Sequence, residues 1–549
     1  MTARMLSKPG QLHTILFWIV IAGIAFLGLD RGLWTPDEPR EAEMGREMLI
    51  HPGFVPHLNG KPFFEKPPLY YWAVAGAYKV AGVSEGVART VSSVFGLATL
   101  VLVFFWVKRD ASKEAAYMAV FVLATCVQFF QSTHWVLLDP ALMFFLVVAA
   151  WGAWTAMSRG PGLAALLSLY GGMCMAVWTK GLLGVALPTA GLLPFLILRR
   201  RDRPWRPLKP LLGVSLTCLF IGLCLWEFYA AEGWDALYQL VWVNHVERFI
   251  RPSTTGHAQP FYYYLQALPV AVLPWLFPFL ALFRPSFWRQ TGPSEKPAFR
   301  LYLACSVLGA LLLLSLASTK RETYLLPLVP LLAVLMALAL DDAIRLPSGT
   351  LDGPSRWLFG RLQPAFLSLW GLVVPVALIV YTKSPRPLYL ALLLAGLGFG
   401  LAGIYFALRD RFAPAWDAHR ASAVLMCVAA IAVAAPVADA QKNMAPFCRW
   451  VGLAVPGRAA IPALGADETL CGIIPFTTGR TVESLSPSRW TELADTGMTP
   501  EYVLEQVGRE DAGQALSPAV YEKLGERKFG PGRTLRLWHK AKQREPNQP

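Results

Sequence analysis

About thirteen apolar runs separated by short charged loops account for most of this chain. A helix needs roughly 20 apolar residues to cross the hydrocarbon layer of a membrane, with about 17 to 25 workable. The runs fall at residues 12 to 29, 88 to 107, 115 to 131, 136 to 157, 163 to 178, 182 to 198, 211 to 229, 265 to 283, 300 to 316, 324 to 340, 364 to 381, 387 to 408 and 421 to 439. Backbone amides in lipid must be satisfied within the segment, so such runs read as helices. Hydrophobic residues make up 55% of the 549 and charged residues 16%, too much apolar surface for a soluble protein of this length. The expected class is a polytopic α-helical membrane protein.

The net charge of +14 does not point to nucleic acid. Lys and Arg concentrate in alternate loops: Arg4 and Lys8, Lys108 and Arg109, Arg159, then 199 to 209, 284 to 300, 345 to 361 and 409 to 420. That asymmetry orients helices, with the basic loops cytoplasmic. It predicts a cytoplasmic N-terminus and, with an odd number of spans, a C-terminus on the outer side. The first run lacks a small-x-small cleavage site before Asp30 and reads as an uncleaved anchor. Six of the eight cysteines lie inside apolar runs, where they act as small hydrophobes. Cys448 and Cys471 lie beyond the last run, and whether they pair is open.

Three outer segments are unusually long or polar: 31 to 87, 230 to 264, and everything after 440. The first begins Trp34-Thr35-Pro36-Asp37-Glu38-Pro39-Arg40, just beyond the first apolar run. Thr35 and Glu38 have capping-box spacing and Pro36 suits a first helical position. The spacing predicts a helix to Ile50 that lies along the membrane surface as an interfacial amphipath, followed by a second short helix. Glu38 serves equally as a cap or as a functional acid. Asp37 is a candidate base or electrostatic anchor, and Asp139, ahead of Pro140 at the outer start of the fourth run, is a second. Ionisable groups at a membrane rim are usually functional, although Asp139 also suits a helix start.

Basic and aromatic residues complement these acids on the outer side. They are Lys66 beside Glu65 in Phe63-Phe64-Glu65-Lys66-Pro67-Pro68, Lys180, His245, Arg248 and Arg251, and Lys320, Arg321 and Tyr324. The orientation bias should deplete outer loops of Lys and Arg, so an anionic ligand at the outer leaflet is the reading, phosphate foremost. A snorkelling side chain at headgroup level is the plainer account of any one of them, Arg248 for instance.

These residues, in this order, resemble the membrane glycosyltransferases of the C-type fold that use polyprenyl-phosphate sugar donors, and among them the aminoarabinose lipid A transferases. The motifs are Asp37-Glu38, Arg40, Arg46-Glu47-Met48, Val55-Pro56-His57, Phe64-Glu65-Lys66-Pro67, Asp139, Thr179-Lys180-Gly181 and Thr319-Lys320-Arg321 with Tyr324. The resemblance implies about thirteen spans over residues 1 to 440, outer juxtamembrane helices within 31 to 87, and a periplasmic α/β domain over 441 to 549. It implies Asp37 and Asp139 as catalytic carboxylates beside Glu38. Lys66, Tyr324 and Arg251, or Arg248 in place of Arg251, would hold the carrier phosphate, with Glu65 near a divalent cation; Arg40, Lys180, His245, Lys320 and Arg321 are further candidates for the carrier phosphate or substrate. The family usually has Tyr after the motif Arg, whereas Glu41 follows Arg40 here.

The implied function is transfer of a sugar, 4-amino-4-deoxy-L-arabinose, from a polyprenyl phosphate to lipid A at the periplasmic face of a bacterial inner membrane. A protein or other-glycan acceptor stays open, and an O-antigen-type ligase or a lipid-sugar transporter is a rival. A transporter would bury charge at the midplane and show internal repeats, whereas these charges gather at one face. No Gly-rich nucleotide fingerprint marks the last hundred residues, in keeping with a donor already carried on lipid. There, Ala459 to Leu464, Gly472 to Phe476 and Thr534 to Trp538 read as short apolar runs or strands, and Tyr502 to Arg509 and Tyr521 to Arg527 as helices.

Overall fold

The computed structural model describes residues 11–34, 36–250, 258–289, 298–345, 357–382, 387–409, 411–508, 520–530 and 532–541, with single positions at 354 and 516. The chain forms two compact units. One comprises residues 1–29, 64–70 and 89–434, and the other 30–63, 71–88 and 435–549. The compact units therefore do not follow a single cut near residue 440, because the first outer loop belongs with the C-terminal segment.

The larger unit is helical. Among the described residues eight helices are long and apolar enough to cross a membrane, or nine if the bent pair Lys113–Thr125 and Val127–Thr133 is one span. That is fewer than the thirteen expected. Two runs form helices of 16 residues, Gln11–Phe26 and Leu183–Leu198. At about 1.5 Å per residue Leu183–Leu198 is short of a hydrocarbon layer about 30 Å thick, while Gln11–Phe26 begins at the first described residue. The run from 265 to 283 breaks into Tyr263–Ala271 and Leu276–Ala281.

The bent pair turns by 65° at Cys126, whose backbone is extended. The break is held because Val127 N donates to Leu273 O at 2.8 Å, so an amide freed from the helix finds a partner. Gly191 and Gly309 let two helices cross at backbone distance, since a Cβ at Gly309 would meet Ala190 O at 1.9 Å. Trp154, Phe195, Phe299 and Tyr302 pack edge-to-face and tilted around that crossing.

The smaller unit contains a two-residue hairpin, β1 (His57–Leu58) with β2 (Lys61–Pro62), and a five-stranded mixed sheet. The sheet comprises β3 (Ile461–Leu464), β4 (Val482–Leu485), β5 (Tyr502–Val507), β6 (Tyr521–Phe529) and β7 (Arg533–Lys540), in the order β4-β3-β5-β7-β6. β3 runs parallel to both its neighbours, while β7 is antiparallel to β5 and β6. Two segments expected as helices are therefore strands. Their charges mimic a helical face, but cross-strand pairing with β7 buries Val503, Leu504, Tyr521 and Phe529 instead.

The reverse holds at Gly472 to Phe476, which lies inside helix Glu468–Thr478. Asp467 caps that helix by accepting from Leu470 N at 3.0 Å. Cys448 and Cys471 are both free thiols, and burial pushes the first up to about 12 and the second to about 11.

The segment after the first apolar run folds as expected in extent and not in setting. Its helix runs Glu38–Ile50, but Glu38, Arg40, Glu41, Glu43 and Glu47 are all buried. It is an internal helix of the smaller unit rather than an amphipath on a membrane surface. Thr35 lies outside the described residues, Asp37 takes the N-cap position, and no side chain caps the helix there.

Candidate functional site

In the smaller unit the turn before helix Glu38–Ile50 gathers acids around one guanidinium. Arg40 donates through Nη2 to Asp37 Oδ1 at 3.1 Å and to Glu41 Oε1 at 2.6 Å, and through Nη1 to Glu468 of the C-terminal helix. Burial works against the proton on Arg40, yet Glu41, Asp37 and Glu468 outweigh it and hold the group well above its ordinary value. Tyr71 from helix Leu69–Ala81 donates to the other Glu41 oxygen at 2.6 Å. Glu38 is fully buried and accepts from Trp34 N at 2.9 Å and from Arg31 at 3.0 Å, which anchors the incoming chain.

One turn along, Arg46 makes a two-pronged pair with Glu43 at 2.6 and 2.7 Å. Glu47 Oε1 accepts from Gly60 N at 2.8 Å, and its second oxygen has no hydrogen bond. Burial pushes Glu43 up to about 7, against the Arg46 contact and with help from Glu47.

In the larger unit Asp139 opens helix Asp139–Arg159. It is 4% exposed and makes no helix cap. Its Oδ1 takes the Lys180 ammonium at 2.6 Å, and that ammonium lies 4.7 Å from the Tyr324 ring centroid. The sequence placed these three residues as separate candidates, and the fold brings them together. Lys320 departs from expectation, since its buried ammonium donates to Gln259 O at 2.9 Å and to Ala317 O. It satisfies carbonyls where helix Phe299–Leu316 ends, as a cation near a helix C-terminus should.

Arg321 is half-buried beside it, and its carbonyl accepts from Tyr264 at 3.3 Å. Glu65 and Lys66 are half-buried in the turn leading to helix Leu69–Ala81. The side chains of His245 and Arg248 and the whole of Arg251 lie outside the described residues. Among the described residues no group of three His, Cys, Asp or Glu is arranged to hold a metal ion.

A cavity of about 230 Å³ opens within the same unit, lined by apolar side chains that include Leu146, Leu187, Pro327 and Leu331. It starts along the chain seven residues beyond Asp139 and three beyond Tyr324.

Sequence reasoning missed Glu41, Tyr71 and Glu468. Glu41 carried a signal, a carboxylate directly after the motif arginine where tyrosine is usual. The structure supplies a tyrosine hydroxyl to it from Tyr71 instead. Glu468 carried none, because its partner lies 428 residues away.

The family model described as dolichyl-phosphate-mannose-protein mannosyltransferase matches residues 14–291. An undecaprenyl phosphate-alpha-4-amino-4-deoxy-L-arabinose arabinosyl transferase of Pseudomonas aeruginosa is 31% identical over 398 residues, 70% of each chain. A protein of the same name from Erwinia tasmaniensis is 31% identical over 59% of each chain, so the match spans under two thirds of that relative's length. The crystal structure of ArnT from Cupriavidus metallidurans bound to undecaprenyl phosphate aligns with a TM-score of 0.73 at 19% identity, covering 95% of this chain and 97% of that one. That likeness establishes the fold, the C-type glycosyltransferase architecture with an appended sheet domain.

Proposed function

The chain belongs to the dolichyl-phosphate-mannose-protein mannosyltransferase family, among its aminoarabinose transferase-like members, and from that premise we propose that it is a polyprenyl-phosphate-dependent glycosyltransferase. The sugar is 4-amino-4-deoxy-L-arabinose, the carrier is undecaprenyl phosphate and the acceptor is a lipid A phosphate. The observation that carries the reading is the Asp139–Lys180–Tyr324 cluster, a buried carboxylate and a half-buried ammonium against an aromatic ring, in the same unit as an apolar cavity of a multi-pass membrane protein. Such a cavity suits a hydrocarbon chain, and the ammonium suits the phosphate at its head.

In the reaction the acceptor phosphate oxygen forms a bond to the anomeric carbon while the bond from that carbon to the carrier phosphate breaks. Negative charge grows on the departing polyprenyl phosphate, and cations fixed beforehand stabilise it most. Lys180 is such a group, its position set by Asp139, and Lys66 and the Tyr324 hydroxyl are assigned with it, as is Arg251, which lies outside the described residues. The role assigned to Asp37 is toward the acceptor. A phosphate acceptor is already ionised, so Asp37 orients it through a hydrogen-bonding group. A sugar or protein hydroxyl acceptor would make it a general base. Glu38, held by two donors, and Arg40, held by carboxylates, support the Asp37 turn rather than touching substrate. No step is routed through a metal.

The protein sits in the bacterial inner membrane with its N-terminus cytoplasmic and the C-terminal domain periplasmic, as the loop charges favour. The family model's own description favours a second reading, a protein acceptor. Mass spectrometry of lipid A and of periplasmic glycoproteins, from cells with and without the protein, separates the two. Unchanged lipid A overturns the first reading.

A further inference from the structure

Helix Glu468–Thr478 meets the Asp37 turn at three points, all within the smaller unit. Thr469 Oγ1 donates to Pro36 O at 3.2 Å, one residue before Asp37. Gly472 presses backbone to backbone, since a Cβ there would lie 2.6 Å from the carbonyl of Pro39 and 2.7 Å from Arg40 N. Glu468 pairs with Arg40 Nη1, while Asp37 and Glu41 take Nη2. The first turn of this helix is itself fixed, because Asp467 caps it and also pairs with Arg533 of β7 at 2.5 Å.

We propose that Glu468 is a positioning residue for the Asp37 carboxylate: by occupying one edge of Arg40 it limits the share of that positive charge falling on Asp37. The proposal rests on Asp37 being the essential carboxylate. The three acids play unequal parts. Glu41 is locked by Tyr71 and buried, whereas the Glu468 side chain is 47% exposed and reaches Arg40 from another segment. One guanidinium divided among three carboxylates leaves each incompletely neutralised, so Asp37 stays more basic than it would in a private pair. Removing the Glu468 charge acts in one direction by two routes. It relieves repulsion on ionised Asp37, and it leaves more of Arg40's charge to stabilise that ionised form.

The test is steady-state kinetics on the full-length protein in detergent, with lipid-linked aminoarabinose donor and lipid A acceptor, across pH. Glu468→Gln should lower kcat about two- to threefold and leave the KM for donor unchanged, because an Asp37 less basic by about half a unit engages the acceptor less well. The acid limb of the kcat/KM profile should move to lower pH by about half a unit. Glu468→Asp should recover most of both.

A merely structural role would lower thermal stability and activity with the acid limb unmoved, and that result overturns the proposal. So does a parental profile in Glu468→Gln while Asp37→Asn is inactive. Parental turnover by Asp37→Asn would instead overturn the reading of Asp37 itself, and the proposal with it.

Discussion

The Lys180 ammonium sits 2.6 Å from Asp139 and beneath the ring of Tyr324, so a single cation is shared between a buried carboxylate and an aromatic face. Removing one partner of such a pair leaves the other charge buried and uncompensated, at a cost of about 3 to 5 kcal/mol. Lys180→Met should therefore lower thermal stability sharply, and the double variant with Asp139→Asn should recover most of it. Melting of the four proteins of this cycle measures the coupling, expected at roughly 1 to 3 kcal/mol. Additive losses would mean that the pair is not coupled.

Asp37→Asn removes charge at nearly constant volume and should cut transfer at least about 100-fold while the protein inserts and folds normally. Turnover with purified lipid-linked donor, alongside a melting curve, reports both.

Tyr324→Phe keeps the ring under Lys180 and deletes only the hydroxyl. It should weaken binding of labelled undecaprenyl phosphate several-fold without changing stability, and Lys66→Ala should weaken it further. Affinity equal to the parent in both variants would move the carrier head elsewhere.

Glu43 is raised by burial from the usual carboxylate range to about 7, so the folded protein holds a proton there that the unfolded chain releases above about 4.5. The stability contributed is complete at low pH, declines as pH rises from about 4.5 to about 7, and is gone above that. Glu43→Gln should flatten the stability profile across that window, whatever it costs at every pH through the loss of the Arg46 pair. Thermal melts at pH 5, 6, 7 and 8 give the slope directly.

The outer face is tested by impermeant thiol labelling in spheroplasts. Gly53 is a suitable site because a Cβ there meets nothing within 4 Å, and Met498 is another because it is 73% exposed. Asn59 is not suitable, since it donates to Val482 O and accepts from Val482 N and so closes the end of β4. Cysteine at either chosen site should label without lysis, and labelling only after lysis would invert the topology.

What the sequence made legible was local. The helix ending at Ile50 follows from contiguous residues, and the acids at 37 and 139 stand out because a membrane rim penalises idle charge. The burial of that helix was not legible, since its charged groups are satisfied in part by hydrogen bonds from Tyr71 and Gly60 and by an ion pair with Glu468, none of them neighbours in sequence. The carbonyl partners of Lys320 were not legible either, because Gln259 lies in a distant segment and Ala317 becomes a helix end only in the fold. β6 failed on periodicity, because its acids and bases face solvent in pairs such as Lys523 with Glu526 that a helix would also display.

The smaller unit is assembled from segments on either side of residues 89–434. During synthesis the Asp37 turn emerges early, and Glu468, Thr469 and Gly472 arrive only after the bundle has been threaded into the membrane. The early loop must therefore wait, its arginine shared only with Asp37 and Glu41, until the last fifth of the polypeptide reaches it. A chain cut short before Glu468 therefore lacks every contact that this helix makes to the Asp37 turn, and the smaller unit closes only when its last segment arrives.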